Sequence, residues 1–342
     1  MKSLREYSLN LTEEEYHAYP AWSYSLIARY AKDGFSAIAT LHEPIMPTPS
    51  MEFGSLFDSF ITKGKQTLND YAVCTLSVPE AEKKALDYLS NLTTSSFEEL
   101  DPGWIYDRTQ ECGYQTRLKV DTKYNKLKEY AEYFNLKKSG KKIVSQQDWN
   151  DALEMYNVFR TSENTKNLFG TKDTEDIEYI YQAQFKVPYQ TNSGKNVEIK
   201  IMPDLMVVNH KEKTIQLVDL KTSSVPGWSF DENFVKFRYD IQARLYSDVI
   251  DSICSKDDDY RDYTILPYIF ADISRSDKIP VTYIYPQYDE SQIDGFSFKG
   301  YHYKDYNQLL DEIVNYEESQ AKVPSYISLT EPNDLIAILN NR

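Results

Sequence analysis

The chain reads as an α/β protein whose helical first half gives way to strands in the order αβββαβ, which suits a mixed central sheet flanked by helices. Three observations predict this. Apolar residues recur at helical spacing in segments up to about residue 175. From Glu178 onward, β-branched and aliphatic residues gather into runs of strand length. One helical stretch, Phe234 to Ile253, then separates the first three of these runs from two more. The expected organisation is a mainly helical region over 1–175, an αβββαβ core over 176–290 that borrows a helix from it, and a helical tail over 291–342 packed on the core. No linker, internal repeat or long low-complexity segment divides the chain.

Helices are predicted near 52–63, 78–91 and 145–160. In the first, Phe53, Leu56, Phe57, Phe60 and Ile61 follow the spacing of a single buried stripe, and Gly54 and Asp58 lie one turn apart beside it. A glycine there lets another backbone or a ligand approach the aspartate, at about 1 kcal/mol of helix propensity relative to alanine. The segments Ile177 to Pro188, Val197 to Val208 and Thr214 to Thr222 read as a three-strand meander. The last two are joined by the polar turn Asn209-His210-Lys211-Glu212-Lys213. Strand character returns at Tyr263 to Ile273 and Val281 to Tyr285, and Tyr303 to Glu318 reads as a final helix.

If the chain reverses about Lys211 and Glu212, Asp204 falls opposite Asp219, with Cβ atoms roughly 4.5 to 5.5 Å apart. Alternation along the strand puts Lys221 on the same face as Asp219. Paired carboxylates beside apolar walls raise each other's pKa, and a divalent cation relieves that repulsion. Oxygen-only ligands favour Mg²⁺, or Mn²⁺, over zinc. Such an ion lowers the pKa of bound water and neutralises charge on a phosphate, while a lysine positions or deprotonates the water, a combination suited to phosphodiester hydrolysis. The same residues also fit an ordinary hairpin with a cross-strand ion pair.

The order Pro203, Asp204, hairpin, Asp219, Leu220, Lys221 resembles the PD-(D/E)xK nuclease superfamily. Gly54 to Asp58 resembles the Gly-x-x-x-His helix of RecB-like nucleases, with Asp58 in the place of the metal-binding histidine. Gln242 to Tyr246 is similar to the Gln-x-x-x-Tyr motif of RecB-like and RecE-like exonucleases. Looser likenesses to the phage-type RecE-like exonucleases lie at Tyr19 to Leu26, Asp107 to Thr109 and Val144 to Trp149, so that the resemblance spans roughly residues 20 to 290. It implies a restriction-endonuclease-like core in which Asp58, Asp204, Asp219 and the Leu220 carbonyl bind Mg²⁺. Lys221 activates water, and Gln242 and Tyr246 orient the lysine or touch the DNA backbone. It further implies an exonuclease acting on double-stranded DNA with free ends in phage-type recombination or DNA processing, working with a single-strand annealing protein and able to form a homo-oligomer. A structure-specific endonuclease and a non-catalytic binding protein on the same scaffold are the alternatives. One position departs from the family: Gln184 stands where relatives often carry a glutamate, and Glu178 is the acid that would compensate in another register. Tyr239, on the face of Gln242, reads as core.

The net charge of −15, from 38 basic and 53 acidic residues, argues against general affinity for nucleic acid. Any DNA contact must be local, and one segment is basic: Arg117, Lys119, Lys123, Lys126, Lys128, Lys137, Lys138, Lys141 and Lys142 face only Asp121, Glu129 and Glu132, with Tyr124, Tyr130, Tyr133 and Phe134 between them. It reads either as a DNA-steering surface or as a solvated helix face ending in a lysine-rich loop. Cys74, Cys112 and Cys254 form neither a disulfide framework nor a zinc site, and three cysteines cannot supply the four ligands of the iron-sulfur cluster held by some relatives. No segment is long and apolar enough to span a membrane, and the polar start is not a signal peptide, so a cytoplasmic protein of a bacterial or phage-infected cell is expected.

Overall fold

The computed structural model describes residues 3–320 apart from 44, 171, 225 and 287–294. In chain order the first half places α1 (Glu13–Ala18), α2 (Tyr24–Asp33), α3 (Pro49–Lys63), α4 (Thr67–Asp70), β1 (Tyr71–Cys74), α5 (Glu80–Leu92), α6 (Pro102–Glu111), α7 (Val120–Lys128), α8 (Ala131–Lys137), β2 (Lys142–Ser145) and α9 (Gln146–Thr161). The predicted helices are α3, α5 and α9. Thr48 caps α3 through its side chain and Pro49 begins it; Ser145 caps α9. This half does not pack as one body. Residues before α3 join the main core, α3 and α9 pack on the sheet, and α5 to α8 enclose a separate core around Leu86, Leu89, Phe97, Leu127 and Phe134. That last group is an insert carried between β1 and β2, which pair in parallel, Tyr71 against Lys142 through Cys74 against Ser145.

The second half contributes β3 (Ile177–Tyr181), β4 (Phe185–Gln190), β5 (Asn196–Ile201), β6 (Leu205–Asn209), β7 (Thr214–Ser223), α10 (Phe230–Phe237), α11 (Tyr239–Cys254), β8 (Thr264–Ile265), β9 (Tyr268–Ser274), β10 (Pro280–Tyr285), β11 (Phe296–Phe298), β12 (Tyr301–Tyr303) and α12 (Tyr306–Gln320). The central sheet runs β10-β9-β7-β6-β3, with β8 beside β7; β7 and β9 are parallel and the other neighbours in that order antiparallel. The molecule is thus mixed α/β. On β7, Ile215 and Leu217 face α11 and α12, whereas Val218 and Leu220 face α3 and α9. The expected final helix is α12, and it packs on the core through Tyr306, Leu309, Leu310, Ile313 and Val314; residues 321–342 of the expected tail lie outside the described residues.

Two expectations about elements are corrected. The long strands 177–188 and 197–208 are each broken: β3 pairs with β6 and β4 with β5, in one common register interrupted at residues 182–184 and 202–204. Gln182 takes φ +49° there, and Pro203 on the other strand has no N–H for the ladder. The helix expected over Phe234 to Ile253 is two helices, separated by Arg238 at φ +55°. The Arg238 guanidinium forks onto Asp240 at 2.9 Å and also donates to the Lys304 carbonyl, so a buried ion pair holds the bend.

Candidate active site

The hairpin of β6 and β7 ends its ladder at Leu205 against Val218, with Asp204 and Asp219 the next residues on the two strands. Asp204 Oδ2 accepts the Leu220 backbone N–H at 2.7 Å. Asp219 and Lys221 emerge on the α11 face, Lys221 Nζ reaching Asp219 Oδ2 at 2.6 Å. Gln242, from the first turn of α11, closes the arrangement: its Nε2 donates to Asp219 Oδ1 at 2.5 Å and its Oε1 accepts from Lys221 at 3.0 Å. Asp219 is 2% exposed and Lys221 17%, so the pair is shielded yet open on the lysine side.

Asp58 arrives from α3, on the opposite face, at the gap in the β3–β6 ladder. Gln182 joins it to Asp204, its side-chain amide donating to Asp58 Oδ2 and its backbone N–H to the Asp204 carbonyl at 3.1 Å. Gly54 lies where β7 comes close, since a Cβ there would sit 3.3 Å from Thr222 Oγ1. The close approach expected of this glycine is therefore made by the lysine strand.

The electrostatics follow from crowding three acids into a dry place. Burial, and then the charge of Asp219, pushes Asp58 up to about 7. Burial followed by Asp219 and Asp58 holds Asp204 well above the usual carboxylate range. Burial, the largest single effect, lowers Lys221, but the charges of Asp219, Tyr239 and Asp204 and the hydrogen bond to Asp219 together outweigh it, and the ammonium is held above its ordinary value. Asp58 Oδ1 is buried without a hydrogen-bond partner. Around these groups stand tyrosines. Burial drives Tyr24, Tyr246 and Tyr268 well above the ordinary phenol value, with Asp219 adding to each.

Several sequence expectations need correction. Gln184 does not face the carboxylates; its amide clamps the Leu11 backbone, accepting from the N–H and donating to the carbonyl, both at 2.9 Å. Glu178 pairs with Val208 in the ladder and turns to Ser3, Arg5 and His210, so it supplies no fourth acid. Tyr239 packs against the core as expected, stacking on Phe230, Phe237 and Phe270, but it also presents its ring 4.3 Å from Lys221 Nζ. Tyr246 sits beneath the site in contact with the Met202 backbone. The sequence also missed Gln182, Tyr24 and Asp272. The last is paired in register with Lys221 on β9 and is pushed up to about 7 by burial and then by Asp277.

The basic segment divides. Lys123 is fully buried with Nζ 4.7 Å from the centre of the Tyr106 ring, and burial lowers its pKa, so it is no part of a DNA surface. Lys126 pairs with Glu82 at 2.9 Å, Lys137 with Asp87 at 3.3 Å, and Lys138 donates to the Ser90 carbonyl. Arg117, Lys119 and Lys128 are exposed. Lys141 and Lys142 line a polar groove of about 810 Å³ that also takes in Arg5, Lys63 and Asp58. The end of the segment therefore reaches the site from the insert, while its middle builds the insert's own core.

The donors available to a metal are oxygens: Asp58, Asp204, Asp219 and the Leu220 carbonyl. They suit a hard divalent cation in kind, and the partnerless Asp58 Oδ1 and the carboxyls of Asp58 and Asp204, raised by burial and by Asp219, are what such an ion would relieve. Among the described residues, no group of three or more His, Cys, Asp or Glu side chains is already arranged to hold a metal. Among the same residues no helix is long and apolar enough to cross a membrane. No family model matches the chain. No curated protein matches it in sequence. A comparison with solved structures aligns the chain with the crystal structure of SSO0001 at 12% identity and a TM-score of 0.26, over 72% of this chain and 96% of that one.

Proposed function

We propose that the chain is a metal-dependent deoxyribonuclease of the PD-(D/E)xK type, with a restriction-endonuclease-like core formed by α3, β3, β6, β7, α11 and β9. The observation that carries the reading is that Gln182 links Asp58 and Asp204 at the gap in the sheet, while Asp219 on the neighbouring strand is tied to Lys221 and Gln242. The exonuclease assignment comes from the resemblance of these motifs to RecE-like enzymes.

Asp58, Asp204, Asp219 and the Leu220 carbonyl would hold Mg²⁺, or Mn²⁺. When bound, such an ion would acidify a water and offset charge on the scissile phosphate. Lys221, protonated beside Asp219, holds a water or phosphate oxygen through its N–H donors; it can accept a proton only once the charge of Asp219 has been offset. Gln242 fixes both partners, and the tyrosine floor excludes water from beneath. DNA enters along the groove of Arg5, Lys63, Lys141 and Lys142.

A non-catalytic DNA-binding or partner-binding scaffold is the second reading, favoured by the absence among the described residues of a ready three-ligand group and by the structural use of Gln184. The test is degradation of end-labelled linear duplex and matched closed-circular DNA with Mg²⁺, Mn²⁺ or EDTA, for wild type and Lys221→Ala. Metal-dependent loss of the linear substrate alone, abolished by the substitution, is the expected result. Cleavage of both DNAs indicates an endonuclease, and cleavage of neither under any metal leaves the scaffold reading.

A further inference from the structure

The residues of the candidate site lie along a row that crosses the sheet. Gln182 bonds to Asp204, Asp204 and Asp219 come next after the last β6–β7 pair, Lys221 is level with Asp272 on β9, and Asp272 is level with Val281 on β10. At the far end of this row, the turn Gly227–Ser229 after the lysine strand lies against the sheet. A Cβ on Gly227 would come within 3.2 Å of Val281 Cγ2 and 3.7 Å of Asp272 Oδ2, so the turn is seated closely on β9 and β10. Tyr283 donates its hydroxyl hydrogen to the Gly227 carbonyl, and its ring stacks on Phe230 at 4.1 Å and 8°. The Ser229 hydroxyl donates back to the Pro226 carbonyl at 3.0 Å. The turn is thus fixed at several points.

On that fixed turn Trp228 is 82% exposed, and its ring contacts no other ring among the described residues. Burying a large aromatic is strongly favourable, so a chain that anchors the backbone on both sides of an indole and leaves the indole in water presents a ready flat surface. The polar groove lies at the other end of the row, beside Gln182 and Asp58. Gly227, seated against Asp272, sets Trp228 beside the strand that pairs with the lysine strand.

We propose that Trp228 is a base-stacking platform that takes an unpaired nucleobase of the strand crossing the site. This rests on the nucleic-acid reading of the carboxylate and lysine centre. Every base has a π-face, so the platform adds affinity without sequence preference, and it favours single-stranded or frayed ends over closed duplex.

The experiment is binding of a short labelled oligothymidylate in EDTA to wild type, Trp228→Ala and Trp228→Phe, across a salt series, alongside the cleavage assay on linear duplex. The alanine variant should bind roughly 5- to 150-fold more weakly with an unchanged salt slope, and the phenylalanine variant should bind within a few-fold of wild type. Binding by Trp228→Ala equal to wild type would overturn the platform and leave the nuclease reading standing. Failure of the wild type to bind the oligonucleotide would also overturn it, and the cleavage assay then decides the nuclease reading separately. Trp228-dependent binding without cleavage would keep the platform on a non-catalytic scaffold.

Discussion

Gln242 shows how much of the site depends on a side chain with no charge of its own. It donates to Asp219 and accepts from Lys221, so either partner would move without it. Gln242→Ala should lower the cleavage rate about 10- to 100-fold with little loss of stability, measured by single-turnover assay and urea unfolding. The buried acids make a different prediction for the metal-free protein. Asp58 and Asp272, both near 7 in the folded chain, keep protons there that the unfolded chain releases above about pH 4. The folded state binds more protons across that window, so stability falls as pH rises from about 4 to about 7 and then levels. Asp58→Asn or Asp272→Asn should flatten that fall, each by on the order of 2–4 kcal/mol at pH 8, read from urea midpoints in EDTA. Asp204, Asp219, Lys221 and Gln242 were legible because strand alternation and helix spacing fix where such residues point. Gln182 and Asp272 were not: one depends on a left-handed backbone at a glutamine, the other on which strand settles beside β7.

At the level of elements, the broken hairpin is the feature that spacing could not reveal. Its strands keep one register on both sides of the interruption, so the apolar pattern runs through without a change of phase, and only Pro203 marks the place. The bend at Arg238 was hidden likewise, because the apolar spacing of α10 continues into α11. The first residues of the chain are held by a buried cation: Lys200 on β5 donates to the carbonyls of Tyr16, His17 and Tyr19 at 2.6 to 3.2 Å, meeting the end of α1. Lys200→Met removes these bonds and should cost about 2–4 kcal/mol, with faster proteolysis before residue 23 as the local signature. Gly54→Val, by crowding Thr222, should displace α3 and with it Asp58, weakening Mg²⁺-dependent stabilisation measured by thermal shift.

Over the whole molecule, an acidic protein brings four cations, together with Glu13, Asp58 and Asp70, to one groove. Replacing Lys141 and Lys142 with alanine should weaken duplex binding and reduce the slope of log K against log salt by about 2, whereas Lys123→Met should leave that slope alone and change only stability. Charge counting found the segment but could not separate its buried lysine from its exposed ones, because side chains of α7 alternate between the insert's core and solvent. The insert has one more consequence. It leaves β1 and returns as β2, which lies parallel to it, so its two ends stand at opposite ends of a strand pair. Parallel neighbours cannot be closed by a tight turn and need a crossover of about a dozen residues or more. Across evolution or by engineering, this wall of the groove can therefore be rebuilt at very different lengths and with different charge without disturbing the carboxylates, but it cannot be trimmed to nothing.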